Sequence, residues 1–381
     1  MFTPPVTYHK EFTITDDCGL IAAGKPCPGC TAVAVQDRGR REPKMDADKI
    51  IAVIEREAKK GVNLFTLMGG EPLTVKGIHK VISYIDNSPF IDALVYTASY
   101  GLVNDKGGLT SAFARLQAAG LMKLYLLASV DKLILNKKDI LPNDSSSFKA
   151  FYGLKLMETL AKKGYKDIAI HQTLRKDNLD HTLLLYQWAS ERGILFSCCP
   201  LVWKPYTSRR RDPVPFKNFA DKLTKKDKPK LREIINRLIT IETKRLKEKK
   251  PRSLIPSSAF LRLISDYGPD NLISCKKHRK VRPIFGRDIT PDGKERWCIA
   301  QDTYNDAMLC GGCYYIGLDR GTPGEYWSFE GLTGQLGPND LRWQNYIVCR
   351  KVPGFDPTRK NLIFYQKSPT ERKDFPQAFI Q

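Results

Sequence analysis

Short apolar runs and amphipathic segments alternate along the first two hundred residues. Phe12-Thr13-Ile14-Thr15 switches between apolar and polar as a strand does. A helix is expected next, capped by Asp46 or Asp48 and ending near Lys60, with Gly61 as its stop. Ile50, Ile51, Ile54 and Ala58 are expected on its buried face. Strand-like runs recur at Val62–Leu67, Ala93–Ala98, Lys123–Ser129, Asp167–Leu174 and Ile194–Cys198. Helical patterns fall between them at Val75–Asp86, Leu109–Ala119, Ser146–Lys163 and Leu179–Arg192. In the third of these Phe148, Phe151, Leu154, Met157 and Leu160 keep a helical spacing. Strands that alternate with helices predict a parallel α/β sheet joined by right-handed crossovers. The alternation alone fits a doubly wound sheet as well as a barrel.

The pattern changes after Pro205. Residues 205–215, with Arg209-Arg210-Arg211, read as a loop and a domain boundary. Phe219–Lys250 then reads as a basic helix whose packed face is Ile234, Ile235, Leu238, Ile241 and Leu246. Beyond Tyr314 the chain is irregular and aromatic-rich, a composition that by itself predicts packing and no particular chemistry.

A chain of 381 residues can bury one large core plus a smaller domain. It contains no run of eighteen apolar residues and no basic-then-apolar N-terminus, so a cytoplasmic protein without a membrane partner is expected. In that compartment ten cysteines favour metal ligands or free thiols over disulfides. The net charge of +21 is concentrated: residues 203–252 hold 18 Lys and Arg against 6 Asp and Glu. Such a surface attracts anions, whether nucleic acid, acidic peptide or a phosphorylated small molecule, and also serves simply as a solvated face. Aromatic side chains for stacking on bases are sparse there.

Two motifs carry the chemistry. Cys18, Cys27 and Cys30 lie on one loop after the first strand, and three thiolates can hold three corners of a four-iron cluster while leaving the fourth iron open. A closed zinc site needs a fourth ligand, which the neighbouring sequence lacks. Taken alone, though, the three cysteines read equally as zinc ligands, and the Gly-Gly-Glu-Pro that follows the second strand reads alone as a plain turn. After the second strand comes Met68-Gly69-Gly70-Glu71-Pro72-Leu73. Two glycines let backbone carbonyls approach an ammonium closely, and Glu71 can add a charge-assisted hydrogen bond.

Together these motifs resemble the radical S-adenosylmethionine (radical SAM) superfamily. The resemblance implies a partial (β/α)6 TIM-like barrel, open on one side, followed by a smaller C-terminal cysteine-rich domain. It implies a [4Fe-4S] cluster on Cys18, Cys27 and Cys30, whose open iron is chelated by S-adenosyl-L-methionine. Gly69, Gly70, Glu71 and Pro72 are then expected at the cofactor's amino group. Ser129 and Asp131, closing the fourth strand, are expected at its ribose or carboxylate, and Thr97 and Ser99 after the third strand also become cofactor candidates. Thr97, Ser99 and, in the fifth strand, His171 and Gln172 are equally readable as ordinary strand-end polar residues. Cys198-Cys199 ending the sixth could be thiol participants, but more commonly such cysteines are buried and inert. The implied reaction is reductive cleavage of S-adenosylmethionine to a 5'-deoxyadenosyl radical, which takes a hydrogen atom from substrate. A flavodoxin or ferredoxin is the implied electron donor.

Two features depart from the usual pattern. Eight residues separate Cys18 from Cys27 where the family commonly has three, and Gly29 stands where an aromatic or bulky residue commonly precedes the last cysteine. Neither removes a ligand.

A second cysteine group follows: Cys275, a hairpin over Ile289–Cys298 with Pro291-Asp292-Gly293 at its turn, then Cys310-Gly-Gly-Cys313 and Cys349. Cys275, Cys298, Cys310 and Cys313 supply four thiolates, which bind either a second [4Fe-4S] cluster or zinc. The arrangement resembles the SPASM and shorter twitch extensions of radical SAM enzymes. Five cysteines suit one auxiliary cluster, with Cys349 a replacement ligand or a free thiol, and His278 is expected to be exposed. The domain organisation expected is residues 1–205 as the barrel, 206–254 as a basic helical linker, 255–350 as the auxiliary domain and 351–381 as a tail. Relatives with such extensions often modify peptides or proteins, so a peptide or protein substrate is expected, with a nucleotide or RNA as the alternative. A non-catalytic, zinc-bearing nucleic-acid-binding protein is the competing class, and it leaves Gly69–Pro72 without a role.

Overall fold

A computed structural model describes residues 9–22, 27, 45–59, 62, 64–89, 91–142, 144–200, 223–251, 253–255 and 261, with short pieces at 288–289, 293 and 295–296. Cys30 and the whole second cysteine group lie outside the described residues.

The six expected strands form, and all run parallel. They are β1 (His9–Thr15), β2 (Leu64–Gly69), β3 (Asp92–Thr97), β4 (Tyr125–Ser129), β5 (Ile168–Leu174) and β6 (Leu195–Pro200). Each pairs with its sequence neighbour, giving an open sheet in the order β6-β5-β4-β3-β2-β1. The helices are α1 (Gly19–Ala22), α2 (Ala47–Ala58), α3 (Ile78–Asn87), α4 (Ser111–Ala118), α5 (Ser145–Lys162), α6 (His181–Glu191) and α7 (Lys228–Lys247). A parallel sheet whose helices cross over one face is the partial barrel that the family resemblance implied, with its sheet left unclosed.

Alternate strand residues sort cleanly between two faces. Phe12, Ile14, Phe65, Leu67, Ala93, Val95, Leu126, Ala128, Ile168, Ile170 and Phe196 are at most 1% exposed and join the helices in one core. Cys198 lies in that same core, so it packs as a small apolar residue. The alternate positions Met68, Tyr96, Ser129, His171 and Ser197 are half-buried and belong to the other face. Register carries this row across the sheet, since Ser129 pairs with His171 and His171 with Ser197.

The helix caps follow local chemistry. Asp46 accepts the Lys49 N–H at the start of α2, and Thr110 accepts that of Phe113 at the start of α4. On α2 the fully buried positions are Ile50, Val53, Ile54 and Glu57, while Ile51 and Ala58 are only half-buried. The 100° step per residue thus centres the apolar stripe one position away from that expected. Each buried isoleucine contributes about 1.5–3 kcal/mol. Glu57 is held inside by the Lys10 ammonium and by Arg56.

The basic helix begins later than expected. A short 3-10 turn at Lys225–Asp227, closed by reciprocal Thr224 and Asp227 side-chain bonds, precedes α7. Leu231, Ile234, Ile235, Leu238 and Ile239 pack inward, whereas Ile241 and Leu246 are exposed. Glu242 occupies the inward position instead. It accepts the Tyr186 hydroxyl at 2.5 Å and the Ser253 and Leu254 N–H groups at 2.9 and 3.2 Å. Residues 253–255 thereby reach the β6 edge, where Phe196 donates to Ser253 and Ile255 donates to Phe196.

The other sheet edge is covered too. Asp288–Ile289 (β7) pairs parallel with β1, and Glu295–Arg296 (β8) returns antiparallel, giving the expected hairpin. Gly293 at its turn takes a positive φ of 79°, and its carbonyl accepts the Arg56 guanidinium at 2.8 Å.

Candidate functional site

Parallel strands deliver their C-terminal ends to one edge, and both motifs arrive there. The chain leaving β1 runs Thr15-Asp16-Asp17-Cys18, and the turn after β2 lies directly on it. Gly70 N–H donates to the Thr15 carbonyl and Glu71 N–H to the Asp17 carbonyl, each at 2.7 Å. The two glycines are required by this contact. A Cβ on Gly69 would sit 2.0 Å from the Thr15 carbonyl oxygen, and one on Gly70 would sit 2.1 Å from that of Asp17. Gly69 also takes φ 149°, a value that L side chains rarely adopt. Sequence reasoning assigned the glycines to a ligand's approach; the structure shows them seating one motif against the other.

Glu71 is buried and turned inward. Its carboxylate accepts the Ala98 N–H at 2.6 Å, the Thr97 hydroxyl at 3.2 Å and the Leu73 N–H at 3.2 Å. Burial, only partly offset by these bonds, pushes its pKa up to about 7. Thr97 thus serves Glu71 directly. Pro72 opens the short 3-10 turn at Pro72–Thr74 and is buried. Ser99 is fully buried at φ 65°, its N–H bonded to Thr97 and its hydroxyl without a partner among the described residues.

A cationic cluster lies beyond the ends of β4 and β5. Lys149, one turn into α5, donates to Ser129 Oγ at 2.8 Å and to Asp131 Oδ2 at 3.2 Å. Asp131 is 2% exposed and also faces Arg175 at 3.6 Å, the Ser146 hydroxyl at 3.2 Å and the Thr173 N–H at 3.1 Å. Burial works against its ionisation, but Lys149 and then Arg175 hold it below the usual carboxylate range. Gln172 is buried and donates to the Asp131 and Asn178 carbonyls. His171, on the alternate face, meets Ser197 Oγ at 3.1 Å, and burial lowers its pKa to about 4.

Cys18 and Cys27 are both half-buried free thiols, close enough that the charge of Cys18 acts on Cys27. Burial raises the Cys27 pKa, opposed by the Lys149 charge and a hydrogen bond with Ser145. Ser145 is the first residue of the eighteen-residue α5. The net effect keeps the metal-free Cys27 protonated, so ligation would release its proton. Two thiols with a buried ammonium beside one of them suit an iron–sulfur cluster carrying a polar ligand. Among the described residues no three metal-ligating groups cluster, and the third expected ligand, Cys30, lies outside them.

Sequence reasoning missed Lys149 and Arg175. Lys149, 6% exposed, sits beside Phe148, Ala150 and Phe151 in an apolar stretch of the helix, which was the available signal for the first. Arg175, directly after β5, offered only its strand-end position.

The sheet and its helices match solved structures over most of the chain. Streptococcus suis SuiB bound to the precursor peptide SuiA aligns over 79% of this chain and 62% of that one, with a TM-score of 0.52 and 14% identity. SuiB without the peptide gives the same score and coverage at 15% identity. The chain thus shares the fold of SuiB. The radical SAM enzyme GTP 3',8-cyclase of Clostridium perfringens, in strains SM101 and 13, is 30% identical over 98 residues. That match covers 26% of this chain and 29% of the cyclase, so the chain aligns with under a third of these curated relatives and about three fifths of SuiB. No family model matches the chain. Among the described residues no helix is long and apolar enough to cross a membrane.

Proposed function

We propose that this protein is a radical SAM enzyme that acts on a peptide or protein. The observation that carries the reading is the direct contact of the two motifs, through the bonds from Gly70 to Thr15 and from Glu71 to Asp17, on a radical SAM fold. Cys18, Cys27 and Cys30 would hold a [4Fe-4S] cluster, with S-adenosylmethionine at its remaining iron. Bound there and reduced, that pair supplies a 5'-deoxyadenosyl radical able to take hydrogen from an unactivated carbon.

The chain's own residues have definable tasks in this reading. Lys149 partly offsets the burial that raises the Cys27 pKa and places an ammonium near it, where a cofactor carboxylate can be received. Asp131 and Arg175 fix that lysine by charge. Glu71 braces the turn against β3, leaving the backbone carbonyls of Gly69 and Gly70 as acceptors for an ammonium. The half-buried row of Tyr96, Ser129, His171 and Ser197 offers hydrogen-bonding groups on the sheet face away from the helices. An external one-electron donor, flavodoxin or ferredoxin, completes the scheme, and the second cysteine group is assigned to an auxiliary cluster.

The peptide assignment draws on SuiB, whose structure includes a precursor peptide and whose fold match spans 79% of this chain. The nucleotide reading has its own support in the shorter match to GTP 3',8-cyclase. The deciding experiment is anaerobic reconstitution with iron and sulfide, reduction, and mass spectrometry for 5'-deoxyadenosine with candidate peptides and with nucleoside triphosphates. Cleavage stimulated by peptide supports the first reading and by nucleotide the second. A fully reconstituted protein that never cleaves S-adenosylmethionine refutes both.

A further inference from the structure

The lengthened cysteine loop is pinned at its first turn by a phenol. After β3 the chain bends through Ser99, a non-glycine residue at φ 65°, and this bend delivers Tyr100 to the exit of β1. The segment is braced, because Tyr100 bridges to Val103, Val103 bridges to Leu109, and the Thr110 hydroxyl donates to the Gly101 carbonyl at 2.7 Å. At the end of this arch the Tyr100 oxygen accepts the Gly19 N–H at 2.6 Å and lies 3.8 Å from Cys18 Sγ.

The direction of the sulfur contact follows from these partners. The phenol oxygen already accepts from Gly19, so its own proton is left for the sulfur. A metal-bound thiolate has no proton to give, which makes Tyr100 the donor whenever Cys18 ligates. The seat is close: a Cβ on Gly19 would fall 2.5 Å from the phenol oxygen. Beyond Gly19 the loop forms the single turn α1, closed by Ala22 N–H on the Cys18 carbonyl.

We propose that Tyr100 is a positioning residue for the cluster ligand Cys18, donating its hydroxyl to the thiolate and thereby raising the cluster's reduction potential while anchoring the eight-residue loop. The proposal rests on the cluster reading above. Hydrogen bonds to cluster sulfurs disperse their negative charge and ease reduction.

The test is an EPR-monitored redox titration of the reconstituted protein. Tyr100→Phe should keep its iron and sulfide content and shift the midpoint potential to more negative values. Gly19→Ala, which displaces the phenol without removing the ring, should shift it the same way. Incorporating 3-fluorotyrosine at position 100, a more acidic donor, should shift it the opposite way, which a merely structural tyrosine would not do. An intact cluster whose potential is the same in all three proteins as in wild type overturns the proposal alone. A wild-type protein that takes up no cluster overturns the reading of the cysteine trio and the proposal with it.

Discussion

Gly70 and Asp17 are packed so closely that no side chain fits between them: a Cβ on Gly70 would lie 2.1 Å from the Asp17 carbonyl oxygen. The obstacle is backbone, held by the Glu71-to-Asp17 bond, so neither side can yield cheaply. Gly70→Ala should therefore push the turn away from the cysteine loop and destabilise the protein by about 2–4 kcal/mol. The expected result in urea unfolding is a lower midpoint, and iron retention after gel filtration should fall in parallel. Unchanged iron content in a destabilised variant would show that the contact serves folding alone.

Lys149 and Asp131 are a buried pair that shares Arg175. Removing only the lysine leaves Asp131, 2% exposed, dependent on Arg175 and its neutral donors. Lys149→Met should cost about 3 kcal/mol, since an incompletely compensated buried charge is expensive. Adding Asp131→Asn should recover part of that loss, and a double-mutant cycle by urea unfolding measures the coupling. Affinity for S-adenosylmethionine, read by equilibrium dialysis, should fall in both lysine variants, because recovered stability does not restore the ammonium.

Glu71 and His171 set opposite pH dependences. Glu71 is raised from about 4.5 to about 7, so its contribution to stability is complete below pH 4.5 and is lost as pH rises toward 7. His171 is lowered from about 6.5 to about 4, so its contribution is complete above pH 6.5 and is lost as pH falls toward 4. One pH unit between folded and unfolded values corresponds to about 1.4 kcal/mol. Wild-type stability should thus vary little between pH 5 and 6.5 from this pair. His171→Gln should leave a stability that falls with rising pH, and Glu71→Gln one that rises. Tryptophan fluorescence during urea unfolding at several pH values reads both slopes, and equal slopes in the two variants would refute the assignment.

How far the sequence disclosed this arrangement depends on the range of each signal. The strands and long helices were legible because apolar spacing repeats over several turns, as in Phe151, Leu154, Met157 and Leu160 of α5. The motif residues Gly69–Glu71 were legible as a site because they follow a strand. Their mutual seating was not, since the Thr15 and Asp17 carbonyls they meet belong to a different strand end. Four residues cannot show a period, so α1 inside the cysteine loop was missed. Tyr100 reaches Cys18 across 82 positions, a relation no local pattern records. Ile241 was expected inside α7 on hydropathy, yet Glu242 took the inward place because three donors from distant segments meet its carboxylate there.

That carboxylate yields the last prediction. Glu242 joins α7, α6 and residues 253–254, and through them it keeps 253–255 on the β6 edge beside Phe196. Glu242→Ala leaves the Tyr186 hydroxyl and two backbone N–H groups without their acceptor, and each buried unsatisfied donor costs about 1–3 kcal/mol. Water can reach a strand edge more easily than an interior, so the loss should stay near the lower end and be local. Hydrogen exchange is expected to accelerate at Phe196 and Ile255, whose N–H groups bond across that edge, while β1 to β3 keep their protection. Uniform acceleration through the whole sheet would mean that Glu242 supports the global fold. Confinement to the β6 edge would mean that it fastens the chain where it leaves the barrel toward the second cysteine group.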